Sequence, residues 1–318
     1  MSQGIYDTII IGGGPAGLTA GLYASRRALK TLILSKDLGG QAALSYDIEN
    51  YPGVDLIDGL SLMQKFGKQA QKFGAEIKYG EVLEINKVKN QFKVKTDQNE
   101  FTGRSIILAC GLAPKNLDIP GEKKFKGRGV SYCATCDGPL YKNKTVAVIG
   151  GGNSALDAAE YLSKIVKKVY LIHRRDQFRG EEVVVNRLQK DPRVELVLSS
   201  EIIEIKGDQV VESIVIKNNG YDETKEIKID GIFVEIGYVA KTDLVKDLIK
   251  LNKVGEIITD KDTNTNEEGI FSCGDVTDCS YKQIVISAGE GAKAALQAYK
   301  YLRLQTGDHI LPDWERKK

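Results

Sequence analysis

Two cysteines three residues apart, with an aspartate directly behind them, make up the segment Cys133-Ala134-Thr135-Cys136-Asp137-Gly138. Thiols at this spacing can close a small disulfide ring and reopen it, and the thiolate is the nucleophile in that exchange. Asp137 stands where it could supply protons as a general acid. A pair of buried structural thiols is the bland alternative. A zinc reading would need two further ligands at short spacing. Cys273 and Cys279 are too loosely spaced for that, and the only histidines are His173 and His309, so no metal is expected. Cys110, Cys273 and Cys279 read as occupants of strand ends and turns.

The dithiol needs an electron source, and two glycine loops suggest one. The apolar run from Ile5 to Ile11 leads into Gly12-Gly13-Gly14-Pro15-Ala16-Gly17, followed by Leu18, Ala20, Gly21, Leu22 and Ala24 at helical spacing. In such a loop the first glycine makes the turn, the second lets backbone approach a pyrophosphate, and the third packs helix on strand. A second run, Thr145 to Ile149, leads into Gly150-Gly151-Gly152-Asn153-Ser154-Ala155, with Leu156, Ala158, Ala159 and Leu162 behind it. About 20 residues beyond such a loop an NAD site carries an acid. Here stands His173-Arg174-Arg175-Asp176-Gln177-Phe178-Arg179. Guanidinium groups grip a phosphate with charge-assisted, fork-like hydrogen bonds, so Arg174, Arg175 and Arg179 predict NADPH over NADH. After the first unit the usual ribose-binding acid is missing: Ser35 and Lys36 stand there, with Asp37 just beyond. Asp275, in the turn after Gly269-Ile270-Phe271-Ser272-Cys273-Gly274, is expected to do similar work at the ribityl or phosphate end of a flavin.

Each unit reads strand, glycine turn, helix, and returns to a short strand, Thr31 to Leu34 in the first and Val169 to Ile172 in the second. Units of this kind build parallel sheets with ligands at the carboxyl ends of the strands. The expected fold is α/β, with two Rossmann-like FAD/NAD(P)-binding domains, the first of them discontinuous. Residues 1–114 form its first part, 115–245 the NADPH-binding domain carrying the dithiol, and 246–318 the return to the first domain. With 318 residues, two domains are the default.

Net charge is +2, from 45 basic against 43 acidic residues, which leaves no excess to attract nucleic acid or a membrane surface. No apolar run approaches the roughly 20 residues that span a bilayer. Met1-Ser2-Gln3-Gly4 shows no basic leader, and five cysteines are an odd number. The expectation is a soluble cytoplasmic protein, where an isolated Cys-x-x-Cys is more often redox or metal chemistry than a structural bridge.

Taken together these segments resemble the low-molecular-weight, bacterial-type thioredoxin reductases, a class II group of pyridine nucleotide-disulfide oxidoreductases. The resemblance runs nearly end to end. It covers Gly12 to Gly17, Gly39-Gly40-Gln41, Glu49-Asn50-Tyr51-Pro52-Gly53, Lys126-Gly127-Arg128-Gly129-Val130, Cys133 to Gly138, Gly150 to Ala155, His173 to Arg179, Gly274-Asp275-Val276 and Tyr281-Lys282-Gln283. It implies a homodimer that passes electrons from NADPH through FAD to the Cys133–Cys136 disulfide and on to thioredoxin. FAD would be lined by Gly12, Gly14, Pro15, Ala16, Gly17, Gly40, Gln41, Asn50, Val82, Gly111, Gly274, Asp275, Lys282, Gln283 and Ile284. NADPH would be held by Gly150, Gly152, Asn153, Ser154, His173, Arg174, Arg175, Arg179, Ile236 and Gly237. Cys136 would face the flavin, Cys133 would exchange with thioredoxin, Asp137 would be the acid/base, and the smaller domain would rotate to present NADPH or dithiol in turn.

Some positions depart from the family's pattern. Cys110 stands where threonine is usual, Lys282 and Ile284 replace arginine and alanine, Pro139-Leu140 stand where some members carry aromatic residues, and Tyr238 to Lys241 replaces a His-x-Pro-Asn-type turn. The nearest rival is the flavoprotein reductase of an alkyl hydroperoxide system, toward which Asp137-Gly138-Pro139-Leu140 leans, although such proteins lack the arginine cluster. A ferredoxin-linked relative would not need those arginines, and a non-catalytic flavin sensor would have little use for a dithiol beside Asp137.

Overall fold

The computed structural model describes residues 4–45, 48–220 and 223–307. Residues 1–3, used above to look for a leader, and His309 lie outside the described residues. The chain forms two compact units, Met1–Ala113 with Val239–Lys318, and Pro114–Tyr238.

The first unit is built on β1 (Tyr6–Ile11), β2 (Thr31–Ser35), β3 (Glu76–Tyr79), β4 (Val82–Val88), β5 (Gln91–Thr96) and β6 (Glu100–Leu108), in the order β3-β2-β1-β6-β5-β4. The strands β3, β2, β1 and β6 run parallel, and β4 to β6 form antiparallel hairpins at one edge. Ile9 and Ile10 in β1 and Ile106 and Ile107 in β6 are completely buried, which is why these central strands read as unbroken apolar runs. Helix α1 (Pro15–Arg26) follows β1, and α2 (Gly59–Lys72) is started by Asp58, whose side chain accepts from Ser61 N–H at 2.8 Å. The short β7 (Leu112–Pro114) ends this part.

The second unit opens with α3 (Glu122–Phe125), β8 (Val130–Ser131) and α4 (Ala134–Asp137), and a single 3-10 turn, Gly138–Tyr141, follows. Then come β9 (Thr145–Ile149), α5 (Asn153–Ser163), β10 (Lys168–Ile172), α6 (Glu182–Lys190) and β11 (Val194–Val197). The strands β12 (Ser200–Lys206), β13 (Ser213–Asn218) and β14 (Thr224–Lys228) form an antiparallel sheet of their own. With β15 (Gly231–Val234) the parallel sheet is complete in the order β11-β10-β9-β15-β8. Val146, Val148, Val169, Leu171 and Phe233 are fully buried between this sheet and α5 and α6.

The chain then returns to the first unit. Strand β16 (Tyr238–Ala240) pairs with β7, and β17 (Ile270–Ser272) lies parallel to β6, with Ile270 opposite Ile106. The last helix, α7 (Ile284–Gln305), packs along α1 so closely that a Cβ on Gly291 would overlap the Ala16 carbonyl. Small residues on both helices permit that approach. The fold is thus the expected α/β pair of dinucleotide-binding units, with the first interrupted by the second.

Candidate redox and dinucleotide sites

The first glycine loop sits at the carboxyl end of β1, between β2 and β6. Gly12 has φ +116°, and a Cβ there would overlap the Ala109 carbonyl. A Cβ on Gly17 would overlap the Gly12 carbonyl, so this residue lets the helix close onto the turn. Gly14 is different. It caps α1 without any side-chain hydrogen bond, and the nearest atom to an added Cβ is the Gly39 carbonyl oxygen at 3.7 Å. Gly40 faces the same space, with Gly14 Cα 4.0 Å from its would-be Cβ. The uncapped first turn of α1, led by Pro15 and Ala16, therefore turns its amides toward an open notch that suits a pyrophosphate. This is the fit expected of a dinucleotide such as FAD.

The surrounding residues are committed to shaping that notch. Ser35 Oγ accepts from Gly13 N–H at 2.9 Å, Asp37 accepts from Gly40 N–H at 3.1 Å, and Lys36 pairs with Glu81 at 2.6 Å. Gly80 N–H reaches the Ser35 carbonyl at 2.9 Å, which brings the turn before Val82 to the end of β2. Gln41 donates to the Leu112 carbonyl at 3.2 Å, and Asn50 donates to Gln283 at 3.3 Å, just ahead of Ile284 at the start of α7. Gly111 has φ +62° and open space where a side chain would be. From the tail, Gly274 N–H is taken by Glu290 at 2.7 Å, and Ser287 donates to Asp275 at 2.9 Å. Burial raises the Asp275 carboxyl above its ordinary value. Lys282 donates to the Thr277 carbonyl at 2.5 Å and pairs with Glu256 at 3.2 Å. Cys110 follows Ala109 at this end of the sheet, its sulfur 3.7 Å from the Ile11 carbonyl. The residue is exposed, yet enough protein surrounds the sulfur to push the thiol up to about 11. Such a thiol is a poor nucleophile at neutral pH. Cys273 is fully buried.

The second glycine loop repeats the design at the end of β9. Gly150 (φ +151°) presses on the Glu235 carbonyl, whereas Gly152 caps α5 with no side-chain hydrogen bond and nothing within 4 Å of an added Cβ. Asn153 Oδ1 accepts from Glu181 N–H at 2.8 Å, and Ser154 is exposed. Arg174, Arg175 and Arg179 are all exposed just past β10, and among the described residues no carboxylate pairs with them. Their charges are therefore open to an anion near the uncapped end of α5. His173 plays another part. Its ring is buried, stacks on Phe178 at 5.5 Å, and lies so tightly under Gly151 that a Cβ there would overlap it. Burial, then the three arginines, lower its pKa, so a neutral ring supports the loop from beneath. Gly237, three residues past the end of β15, has φ +96° and open space beside it, and its carbonyl accepts from Lys115 N–H at 2.9 Å.

The dithiol belongs to this same unit. Cys133 and Cys136 are joined by a disulfide with their Cα atoms 5.4 Å apart, across the first turn of α4. Cys133 caps that turn: its sulfur accepts from Cys136 N–H at 3.3 Å and lies 3.4 Å from Thr135 Oγ1. Asp137 N–H reaches the Cys133 carbonyl at 3.2 Å. Gly138 gives α4 its seat on α5, since a Cβ there would come within 2.9 Å of Leu162. Both sulfurs are on half-buried residues, and Pro139 and Leu140 beside them are exposed.

One charged group at this site escaped the sequence reading. Glu235, one residue beyond β15, lies near the Ala134 backbone, and burial pushes its carboxyl up to about 7. The available signal was an acid in the otherwise apolar run Gly231-Ile232-Phe233-Val234-Glu235-Ile236.

The sequence matches the pyridine nucleotide-disulphide oxidoreductase family over residues 6–291. It is 41% identical to the thioredoxin reductase of Peptoclostridium acidaminophilum over 308 residues, covering 94% of this chain and 98% of the relative. With the thioredoxin reductase of Treponema pallidum (strain Nichols) it shares 42% identity, over 93% and 97% of the two chains. Among solved structures, the thioredoxin reductase of Lactococcus lactis superposes with a TM-score of 0.82 at 41% identity, over 93% of this chain and 99% of that one.

Proposed function

The chain belongs to the pyridine nucleotide-disulphide oxidoreductase family, with the low-molecular-weight thioredoxin reductases, and on that premise we propose that it is an NADPH-dependent thioredoxin-disulfide reductase. The observation that carries the proposal is the Cys133–Cys136 disulfide seated on α5, the helix whose uncapped end faces the open arginine cluster. A dithiol and a nucleotide site share one unit, while a second dinucleotide notch occupies the other.

The residues divide the work as follows. Gly12, Gly14, Pro15, Ala16, Gly17, Gly40, Gln41, Asn50, Gly111, Gly274, Asp275, Lys282, Gln283 and Ile284 hold FAD, with Val82 at the edge of that site. Bound flavin supplies the two-electron relay between nicotinamide and sulfur. Gly150, Gly152, Asn153, Ser154, Ile236 and Gly237 line the NADPH site, Arg174, Arg175 and Arg179 take its extra phosphate, and His173 shapes the loop. Two electrons and two protons convert the disulfide to two thiols, and Asp137, next to Cys136 in the chain, is assigned the delivery or removal of one of those protons. The Cys133 thiolate then attacks the disulfide of thioredoxin, forming a mixed disulfide and releasing one partner thiolate. Cys136 displaces the second, which restores the Cys133–Cys136 bond. Arginines exposed without carboxylate partners among the described residues favour this reading over a ferredoxin-driven one.

The outer faces of α1, α2 and α7 leave an apolar groove of about 340 Å³ lined in part by Leu22, Tyr23, Tyr51, Phe66 and Val285. Covering it with a second copy accounts for the homodimer, and thioredoxin is the protein partner. No helix among the described residues is long and apolar enough to cross a membrane, and the proposed compartment is the cytoplasm.

The test is a coupled assay with NADPH or NADH, a thioredoxin and a disulfide dye, with a hydroperoxide-reducing partner as control. Turnover through thioredoxin with kcat/KM for NADPH at least tenfold above NADH is expected. A preference for NADH, or turnover only with the hydroperoxide system, contradicts the assignment.

A further inference from the structure

The Cys133 sulfur is held by more than its disulfide. Thr135 Oγ1 lies 3.4 Å from Cys133 Sγ, and Cys136 N–H donates to the same sulfur at 3.3 Å. A sulfur in a disulfide carries no hydrogen, so the Thr135 hydroxyl is the donor in the first of these contacts. The backbone that delivers the sulfur is fixed as well. Ser131 Oγ accepts from Cys133 N–H at 3.1 Å and donates to the Cys133 carbonyl at 3.2 Å. Asp137 N–H reaches the same carbonyl at 3.2 Å. Ser131 and Asp137 thus hold the Cys133 main chain, while the Thr135 hydroxyl meets the reacting atom.

We propose that Thr135 is a catalytic residue of the redox pair: its hydroxyl donates to the Cys133 sulfur and holds that sulfur as a thiolate once the disulfide is opened. The inference rests on reading Cys133–Cys136 as the redox disulfide, and it gives a residue between the two cysteines a chemical task in addition to their spacing.

Taking the pair from disulfide to one thiol and one thiolate breaks the S–S bond and requires two electrons and one proton. The proton goes to the Cys136 sulfur, and the negative charge stays on Cys133. A charged sulfur accepts hydrogen bonds more strongly than a disulfide sulfur, so the contact to Thr135 gains strength when the bond opens. A hydrogen bond made to the charged form lowers the pKa of its group. More of Cys133 is then thiolate at neutral pH, the form that attacks the disulfide of thioredoxin. Titratable groups surround the pair on each element packed against it. Asp137 follows Cys136 on α4. Tyr141, in the 3-10 turn, has its phenol raised by burial and then by Asp137. Tyr161 of α5 comes within 3.1 Å of a Cβ added to Gly138. Tyr132 donates to Glu122 at 2.7 Å, and Lys126 Nζ sits 5.0 Å from the centre of the Tyr132 ring. Glu235, past β15, lies near the Ala134 backbone. Substitutions at Thr135 leave all of these in place, so a comparison among them reads the hydroxyl alone.

The effect is read on the full-length protein without NADPH or thioredoxin. Dithiothreitol-reduced protein is pulsed with iodoacetamide from pH 5.5 to 9.5, and fragment-ion mass spectrometry follows Cys133 and Cys136 separately. Thr135→Val keeps the branched shape and loses the hydroxyl. It is expected to raise the Cys133 midpoint by about one pH unit and to slow Cys133 alkylation below the midpoint about threefold. Above the midpoint the rate holds or rises, because a thiolate of higher pKa is the stronger nucleophile. Thr135→Ser, which restores the hydroxyl, returns the midpoint toward wild type. A Thr135→Val profile that superimposes on wild type overturns the proposal. So does a rate lowered at every pH with the midpoint unmoved, which is what a residue that only packs α4 would give, and so does a midpoint raised equally in Thr135→Ser. Equal alkylation of wild-type Cys133 and Cys136 with and without prior reduction removes the redox-pair reading itself, and the role of Thr135 with it.

Discussion

At the scale of the residue, glycines with the same spacing do opposite things. Gly17 has no room for a side chain because the Gly12 carbonyl occupies it, whereas Gly14 has room that the protein itself leaves open. Gly17→Ala is therefore expected to destabilise the fold by about 1–3 kcal/mol, the range for forcing a methyl into a packed contact. Gly14→Val leaves the fold intact but places its branch in the notch proposed for the pyrophosphate. Thermal melting and the ratio of flavin to protein absorbance separate the two. The first variant melts lower, and the second is purified with little flavin. If Gly14→Val retains full flavin, the notch is not the FAD site. The spacing of these glycines was legible in the sequence because each role follows from backbone geometry. The part played by His173 was not. A histidine among arginines reads as a ligand, and only the ring packed beneath Gly151 and against Phe178 reveals a support.

At the scale of the element, the parallel strands and their helices follow from sequence pattern, and the antiparallel parts do not. Runs such as Thr145–Ile149 are apolar throughout because both faces are buried. Among these strands β5 does alternate buried and exposed residues, but in β4, β12 and β14 the two mix irregularly and several positions carry lysine or glutamate, so the local signal there is weak. The segment leading from α3 to the dithiol depends on another contact across loops. Buried Glu122 accepts from Leu117 N–H and Asp118 N–H, both at 2.8 Å, and from the Tyr132 hydroxyl at 2.7 Å. Tyr132 directly precedes Cys133, so this carboxylate fixes the strand that presents the pair. Glu122→Ala strands three donors, at a cost of roughly 3 kcal/mol. Denaturant unfolding is expected to register that loss in the midpoint, with Glu122→Gln recovering part of it. An unchanged midpoint for Glu122→Ala would show that the bracket does not support the segment.

At the scale of the whole molecule, one chain forms two dinucleotide-type folds and gives the dithiol to only one of them. The tail after β16 restores the first unit by adding β17 beside β6 and laying α7 along α1. The Gly274-Asp275 turn marks the end of the tail's strand in the sequence. The tail's destination follows from the fact that neither β17 nor α7 has a core of its own. This division of labour makes a sharp demand on Cys136. The measurement that tests it most directly follows Cys136→Ser under anaerobic conditions, recording flavin absorbance after mixing with NADPH and then thioredoxin reduction in the steady state. Flavin bleaching at the wild-type rate with thioredoxin turnover reduced at least a thousandfold is the result predicted. Thioredoxin turnover retained in Cys136→Ser would contradict the assignment of Cys133–Cys136 as the obligatory relay.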